Sequence, residues 1–345
     1  MAASDARPGG ADTRSHRGRG ALAFAAATPH RVAAVPPRTL LVVLVAVQWI
    51  LVASTALTAG SDGSLAIVVP QVVVLLPLAL VLVHGTALRV GGRTFAAWAA
   101  GLWVVLPFAG ILYALPSLRQ DYTHQFLPHV LGLADDASFP AMVAFVAALF
   151  LTLRALQTGL SVDVALAVGA AGLGATFAPR AALVALTPVV GLAFGGRPRH
   201  AIGAAAALAI LLGAVWIAVS TGFLADPFAY AHIAGPGRAL ASLSENFWSG
   251  RVIEWLAIAG VAGALRGRRA AGAMIGVALF AAFMTWQVEA VPLATNLSLL
   301  RSLLPVWPAI TLAVASIPLL VPRRRPVGNR EPEPRPQRSH RSGSP

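Results

Sequence analysis

The run from Val164 to Gly196 holds a single charged residue, Arg180, which follows Pro179. As one helix this run would be about 50 Å long, whereas the hydrocarbon core of a bilayer is about 30 Å thick. Proline supplies no N–H and pushes the preceding residue away from helical angles, so a helix should break here. We therefore predict a hairpin whose first helix ends at Phe177 and whose second helix returns from Ala181.

The composition indicates that this hairpin lies in a membrane. Charged residues make up 11% of the 345-residue chain and hydrophobic residues 57%. Soluble domains carry about 25% charged residues, which they need to cover their surface in water. A chain surrounded by lipid needs no such cover. The chain has no cysteine, which excludes disulfides and thiol chemistry. We predict an integral protein of a bacterial plasma membrane.

Ten apolar runs predict the fold class, an all-α transmembrane helix bundle of about ten spans within residues 39–321. Prolines inside the runs predict kinks. The polar, Arg-rich segments 1–38 and 322–345 are predicted to be disordered cytoplasmic tails. The apolar runs are 39–59, 64–84, 95–115, 139–156, 164–178, 181–195, 201–220, 252–265, 270–288 and 303–321.

The distribution of arginine supports this layout. With both termini in the cytoplasm, 21 of the 26 basic residues lie on the inner side, as the positive-inside rule requires. Reading 164–196 as a single crossing would place the later arginine clusters outside. The formal charge of +13 would favour nucleic acid only if the charges shared one folded face, and here they are spread over short loops and two tails. Nucleic acid is therefore not a predicted partner.

Two longer outer loops, 116–138 and 221–251, mix aromatic and charged residues and are predicted to form interfacial helices. They contain three histidines, His124, His129 and His232. With nearby carboxylates these could bind a divalent metal ion, although an ordinary surface position is the commoner case for histidine. No cofactor is predicted, and the metal stays an alternative.

Three arginines, Arg180, Arg251 and Arg301, lie at the predicted outer membrane edge. A guanidinium there needs water, a charged partner or a lipid phosphate, and its planar fork suits phosphate oxygens. One interpretation is a pocket for a lipid-linked phosphate. The alternative is that each arginine extends to ordinary lipid headgroups.

Three segments resemble the GT-C superfamily of integral-membrane glycosyltransferases, in particular its uncharacterised mannosyltransferase-like members. The glycine-rich stretch that ends in Ala-Pro-Arg180 resembles the family's helix ending in a Lys-Pro turn. The segment Leu300-Arg-Ser-Leu-Leu-Pro-Val-Trp-Pro308 resembles its late Arg-x-Leu-Leu-Pro-x-x-Pro element. The segment 245–255 is similar to an outer segment of related membrane proteins.

The resemblance implies a function, the transfer of a sugar from a polyprenyl-phosphate donor to an acceptor on the extracytoplasmic face. Its implied partners are membrane lipid and the lipid-linked sugar. By position Asp62 would be the catalytic base, because it follows the first span. Asp121, or the Asp135–Asp136 pair, would stand in for the family's second acidic group.

The same resemblance assigns substrate-binding residues. Arg180 stands near the place of the family's lysine, and Arg301 would hold the donor phosphate. Arg251 and His124 complete the predicted binding set. The first outer loop is shorter here than in the family.

Two other classes of function stay open. A transporter or lipid flippase would favour charged residues at mid-membrane and an internal repeat, and the sequence has no clear repeat. A non-catalytic membrane scaffold is the third alternative.

Overall fold

The structure, a computed structural model, describes residues 36–59, 63–113, 122–222, 252–289 and 304–321, and for a few of these, Arg180 among them, only the backbone. Of these residues 91% are helical and none forms a strand. The α-helices are α1 Pro37–Ala59, α2 Leu65–Pro70, α3 Leu76–Tyr113, α4 Leu127–Val130, α5 Ser138–Thr158, α6 Ser161–Phe177, α7 Thr187–Phe194, α8 Pro198–Ser220, α9 Val252–Gly267, α10 Arg269–Glu289 and α11 Trp307–Ser316.

Shorter helical turns connect some of these helices. A π-helical stretch, Gln71–Leu75, links α2 to α3, and a second one, Tyr122–Phe126, precedes α4. The 3₁₀ helices are Pro179–Leu186, Leu304–Val306 and Ile317–Leu320.

The fold class is confirmed: the protein is an all-α bundle of apolar helices, and each predicted run coincides with a helical segment. Within the described ranges, four helical stretches are long and apolar enough to cross a membrane, and five shorter apolar helices accompany them. These helices indicate a membrane protein. The count of ten crossings and the assignment of the two tails stay predictions, since residues 1–35 and 322–345 lie outside the described residues.

The longest apolar stretch, Leu65–Ala109, must reverse direction, because its 45 residues would span about 68 Å as a straight helix. Only Gly92 has non-helical angles inside α3 (φ 82°, ψ −170°), in a region that favours glycine. Both ends of the stretch lie against the segment 122–137. A Cβ on Gly63 would lie 3.1 Å from the Asp135 backbone nitrogen, and the Pro107 carbonyl accepts a hydrogen bond from Tyr122. The predicted loop at 85–94 is therefore a helix broken at one glycine.

The second reversal is the hairpin predicted from Pro179. Helix α6 ends at Phe177, and Ala178 has non-helical angles (φ −132°, ψ 77°). The returning chain ends beside the start of α6, since Nη2 of Arg197 donates to the Leu156 carbonyl, 3.5 Å away. The hairpin is confirmed. The returning arm was expected to be an α-helix from Ala181, and it instead starts as the 3₁₀ helix.

Proline explains that difference in the returning arm. Pro188 is one of the first residues of α7 and has no N–H to bond the carbonyl four residues earlier. Because Pro179 begins this connection, its eight residues, Pro179–Leu186, cannot extend either neighbouring α-helix. A tighter 3₁₀ helix is a common connector in such a place.

Most of the described part of the first outer loop, residues 122–137, is buried, although His124 and Asp135 are exposed, whereas an interfacial helix was expected. Leu127, Val130, Leu131 and Leu133 are all nearly inaccessible and belong to the main apolar core. The aromatic and aliphatic residues of this segment outnumber its charges, so it packs between helices. The second outer loop, 221–251, lies almost wholly outside the described residues.

Candidate functional site

Most of the predicted site residues fall outside the described residues. Asp62, Asp121, Arg251 and Arg301 do so entirely, and only the backbone of Arg180 is described. His124 is described and is exposed within the π-helical turn Tyr122–Phe126. The roles of these residues stay predictions, and their described chain neighbours indicate where each one enters the fold.

The neighbours of Asp121 and Arg301 meet through aromatic contacts. The hydroxyl of Tyr122, the residue after Asp121, donates to the Pro107 carbonyl at 2.7 Å. Its ring lies 5.0 Å from that of Phe126, and Phe126 meets the ring of Trp307 edge-on at 5.6 Å. Burial raises the pKa of Tyr122, so this hydroxyl stays a neutral donor. These aromatic contacts bring the residues flanking Asp121 close to those following Arg301.

The turn that carries Arg180 lies in the same region. Ala181 and Val184 of the 3₁₀ helix pack with Val306 and with Phe145 of α5 in one apolar cluster. Val306 is the residue before Trp307. The backbone at Arg180 is therefore close to the chain that follows Arg301.

The neighbour of Asp62 lies at this end as well. Gly63 packs so closely on Ala134 and Asp135 that a Cβ would approach their backbone atoms to 3.1–3.2 Å. We call the region that gathers Gly63, Tyr122, Asp136, Ala181 and Leu304 the Tyr122 end of the bundle. The chain segments flanking four of the predicted site residues, Asp62, Asp121, Arg180 and Arg301, all reach it.

A polar pair that the sequence did not predict as such lies at the Tyr122 end. Nδ1 of His129 is 2.5 Å from Oδ2 of Asp136, and the backbone N–H of Ser138 donates to Oδ1 at 2.7 Å. A carboxylate only accepts, so the His129 ring donates through Nδ1. Burial by itself would raise the pKa of Asp136, but the hydrogen bonds and charge of His129 and the bond from Ser138 outweigh it and lower that pKa. Asp136 is therefore a carboxylate at neutral pH.

Gln71 holds the loop that carries this pair. With its amide oriented to satisfy both contacts, its nitrogen donates to the carbonyls of Gly132 (3.1 Å) and Ala134 (3.2 Å). Gly132 has a positive φ of 75°, and a side chain there would press on Gln71 and Phe139. The loop therefore needs glycine at 132 and a buried amide at 71. Gln71 begins the π-helical stretch after Pro70, and such stretches are frequent at functional sites.

The histidine-based metal site gains no support from the described part of the chain. There, no three His, Asp or Glu side chains come together as a metal ion would require. His129 is held by Asp136, His124 is exposed, and His232 lies outside the described residues.

Sequence reasoning could have found the His129–Asp136 pair only in part. The two residues are seven apart, with Pro128 and Gly132 nearby to turn the chain, which is compatible with a closed loop. The signal that was available is Asp136 two residues before Ser138, a spacing typical of a carboxylate that accepts from a backbone N–H at a helix start.

Comparison with models of protein families, with curated proteins and with solved structures found no match to this chain.

Proposed function

We propose that the protein is a GT-C-like membrane glycosyltransferase that moves a sugar from a polyprenyl-phosphate donor to an acceptor on the extracytoplasmic face of a bacterial plasma membrane. The observation that carries the proposal is the convergence of four flanking segments at the Tyr122 end. These segments carry the two acidic and two basic residues that the resemblance assigns to the site, and they lie next to the partly buried His129–Asp136 pair.

In the proposed reaction Asp62 removes the proton of the acceptor hydroxyl, and the hydroxyl oxygen attacks the anomeric carbon of the donor sugar. The bond between that carbon and the phosphate oxygen breaks, and the configuration inverts. The departing polyprenyl phosphate takes the electron pair of the broken bond. Arg180 and Arg301 stabilise its charge, and Asp121 supplies the second carboxylate.

His129 and Asp136 act in this proposal as positioning residues. Their contact closes the loop whose residues Ala134 and Asp135 support Gly63, next to Asp62. Breaking the His129–Asp136 contact would displace the base, Asp62, without removing it. We therefore expect kcat to fall while KM changes little. The indole N–H of Trp307 is buried and has no hydrogen-bond partner among the described residues, which leaves a donor for a polar group near Arg301.

The test is sugar transfer by membranes that contain the full chain, supplied with radiolabelled polyprenyl-phosphate mannose and then with other polyprenyl-phosphate sugars. Asp62→Asn should lower transfer by roughly a hundredfold or more, the usual range for loss of a general base. Asp136→Asn should lower kcat by roughly tenfold through misplacement of that base. Asp12→Asn, the same chemical change in the predicted cytoplasmic tail, should have no effect.

Two results would contradict the proposal. One is an unchanged chain that transfers no sugar from any such donor at full expression in the membrane. The other is activity that survives both Asp62→Asn and Asp121→Asn. Equal losses in Asp136→Asn and Asp12→Asn would remove only the positioning role.

A transporter or flippase is the second candidate, because buried polar side chains lie within the apolar helices. Gln48 of α1 and His84 of α3 are nearly inaccessible, and Oε1 of Gln48 has no partner among the described residues. Polar groups inside a membrane domain often mark a substrate path. Gln48→Leu separates the candidates, since it should abolish transport of a lipid-linked substrate but leave sugar transfer intact.

A further inference from the structure

The opposite end of the bundle gathers basic side chains from helices that are far apart in sequence. Nη1 of Arg268 donates to the Arg89 carbonyl at 3.3 Å, across 179 residues of chain. Arg89 is also within electrostatic reach of Arg154 and of a carboxylate, Asp163. We call Arg89, Arg154 and Arg268 the arginine cluster. By the positive-inside prediction this end faces the cytoplasm.

Packing fixes the guanidinium of Arg89 within this cluster. It lies 4.3 Å above the ring of Phe150, and its Nη1 donates to the Gly85 carbonyl at 2.9 Å. A Cβ on Gly85 would lie 2.6 Å from the Phe150 ring, so only glycine lets that ring pack beneath the arginine. Arg154 lies one turn beyond Phe150 on α5 and therefore on the same face.

The cluster is not neutralised by the groups that surround it. Nε of Arg154 is 3.4 Å from Oδ2 of Asp163, and this buried carboxylate also accepts from the Thr158 hydroxyl at 2.8 Å. Among the described residues, one carboxylate therefore faces the three guanidinium groups, which leaves two positive charges in excess. Nε of Arg89 is buried and has no hydrogen-bond partner among the described residues. An anion with several oxygens would relieve the repulsion and accept from such donors.

Position and chemistry together point to the ligand. The cluster lies where α3, α5 and the turn between α9 and α10 meet. In the predicted topology this end of the helices is at the cytoplasmic edge of the membrane, where the inner leaflet has its headgroups. Basic pockets between helices on the cytoplasmic side are suited to anionic lipid headgroups, and the arginine fork matches phosphate oxygens. Arg154 is 46% exposed, so the cluster is open on one side.

We propose that the arginine cluster is a binding site for the phosphate of an anionic phospholipid of the inner leaflet. The phosphate would lie between Arg89, Arg154 and Arg268, with the acyl chains along the lipid-facing side of the bundle. This site is independent of the proposed sugar transfer, which takes place at the other end. Failure of either proposal leaves the other standing.

The experiment uses the purified full chain in neutral maltoside micelles, doped with dioleoylphosphatidylglycerol or, as a neutral lipid, dioleoylphosphatidylcholine. Binding is read from the rise in the unfolding midpoint with lipid content, relative to each variant without lipid. Phosphatidylglycerol should raise the midpoint and phosphatidylcholine should not. Arg268→Gln and Arg89→Gln should each weaken the apparent affinity roughly tenfold, since each removes charge-assisted hydrogen bonds.

Arg199→Gln is the matched control, because Arg199 is exposed at the same end of the bundle as the arginine cluster. The substitution removes the same charge as Arg268→Gln. It should change the affinity less than twofold. Arg268→Lys keeps the positive charge but loses the planar guanidinium. Its affinity for phosphatidylglycerol should lie between those of the unchanged chain and Arg268→Gln. This variant keeps the test decisive if the glutamine variant unfolds. Equal effects of Arg199→Gln and Arg268→Lys would overturn the proposal. An equal midpoint rise with inorganic phosphate would overturn the lipid as the source of the anion.

Discussion

Helices α5 and α8 look alike in sequence but have opposite places in the bundle. Of the most apolar part of α5, 67% is buried, against 11% for α8 and 17% for α1. Yet α5 is the least hydrophobic of the three. Lipid tails are as apolar as leucine, so hydrophobicity alone gives no reason to bury one helix in preference to another. Which helix is buried depends instead on how closely its side chains pack with those of its neighbours.

Glycine neighbours show how that packing is achieved. A Cβ on Gly174 of α6 would lie 2.7 Å from the ring of Phe145 on α5, so the two helices approach closely because glycine is there. Around Gly203 and Gly213 of α8, by contrast, a Cβ would meet nothing within 4 Å. The same residue type therefore marks a contact in one helix and a lipid-facing or open position in the other.

The largest difference between α5 and α8 should come from their aromatic residues. Phe145 is 2% exposed and Trp216 of α8 is 68% exposed. Phe145→Ala should lower the free energy of unfolding by about 3–5 kcal/mol through the cavity it leaves. Trp216→Ala should change it by less than about 0.5 kcal/mol, as expected for a surface substitution. Equilibrium unfolding in mixed micelles measures both, and similar losses would show that α8 is packed as α5 is.

A smaller effect is expected from adding one methyl group. On Gly263 of α9 a Cβ would lie 2.1 Å from the Ser316 carbonyl oxygen, so the backbones must separate. Gly263→Ala should cost about 1–3 kcal/mol, in the range of overpacked cores. Gly203→Ala should instead stabilise by up to about 1 kcal/mol, because alanine is the better helix former. The unfolding midpoint should therefore fall in Gly263→Ala and rise in Gly203→Ala, relative to the unchanged chain.

The two helices also begin differently, which predicts a dependence on pH. Asp136 accepts from the Ser138 N–H at the start of α5, whereas α8 has no side-chain hydrogen bond at its N-cap residue, Arg197. The pKa of Asp136 is lower in the folded protein than in the unfolded chain. Its contribution is therefore fully present above pH 4 or so and is lost as the pH falls through the folded value.

Asp136→Asn should remove that part of the acid sensitivity and leave the rest. The measurement is the unfolding midpoint between about pH 6 and pH 3, compared with the unchanged chain. Parallel curves for the two proteins would contradict the role given to Asp136. Among the substitutions expected to destabilise the fold, this one should have the smallest effect at neutral pH, roughly 1 kcal/mol.

The smallest effect should come from the lipid-facing side of α8. Ile210 is 73% exposed in the structure. Ile210→Ala should change the free energy of unfolding by less than about 0.5 kcal/mol, against about 2–5 kcal/mol for Ile275→Ala in α10, which is 2% exposed. Chemical unfolding of the two variants, each compared with the unchanged chain, measures the two changes in free energy.

Much of the fold could be predicted from the sequence because apolar length and proline act locally. The helix positions and the end of α6 at Phe177 both follow from residues within a few turns. The single break at Gly92 could not be found, because Arg89 and Arg93 around it are compatible with an ordinary loop. Which helices are buried could not be found either, because that depends on partners such as Ser316 for Gly263.

The candidate site was predictable to a lesser degree. The sequence identified acidic and basic residues at the predicted outer edge, and their flanking segments do meet at the Tyr122 end. It did not indicate that most of 122–137 is buried, since hydropathy cannot distinguish an interfacial segment from one covered by other helices. The His129–Asp136 contact and the arginine cluster both depend on distances across the fold, which local patterns do not contain.

The chain reverses at Gly92 and at Ala178. We therefore expect the Tyr122 end and the arginine cluster to lie on opposite sides of the membrane. Because the chain has no cysteine, single cysteines report position directly. Asp135→Cys and Arg199→Cys replace exposed residues at the two ends. In intact spheroplasts a membrane-impermeant maleimide should label the first but reach the second only after permeabilisation. Labelling of both from the same side would contradict the account.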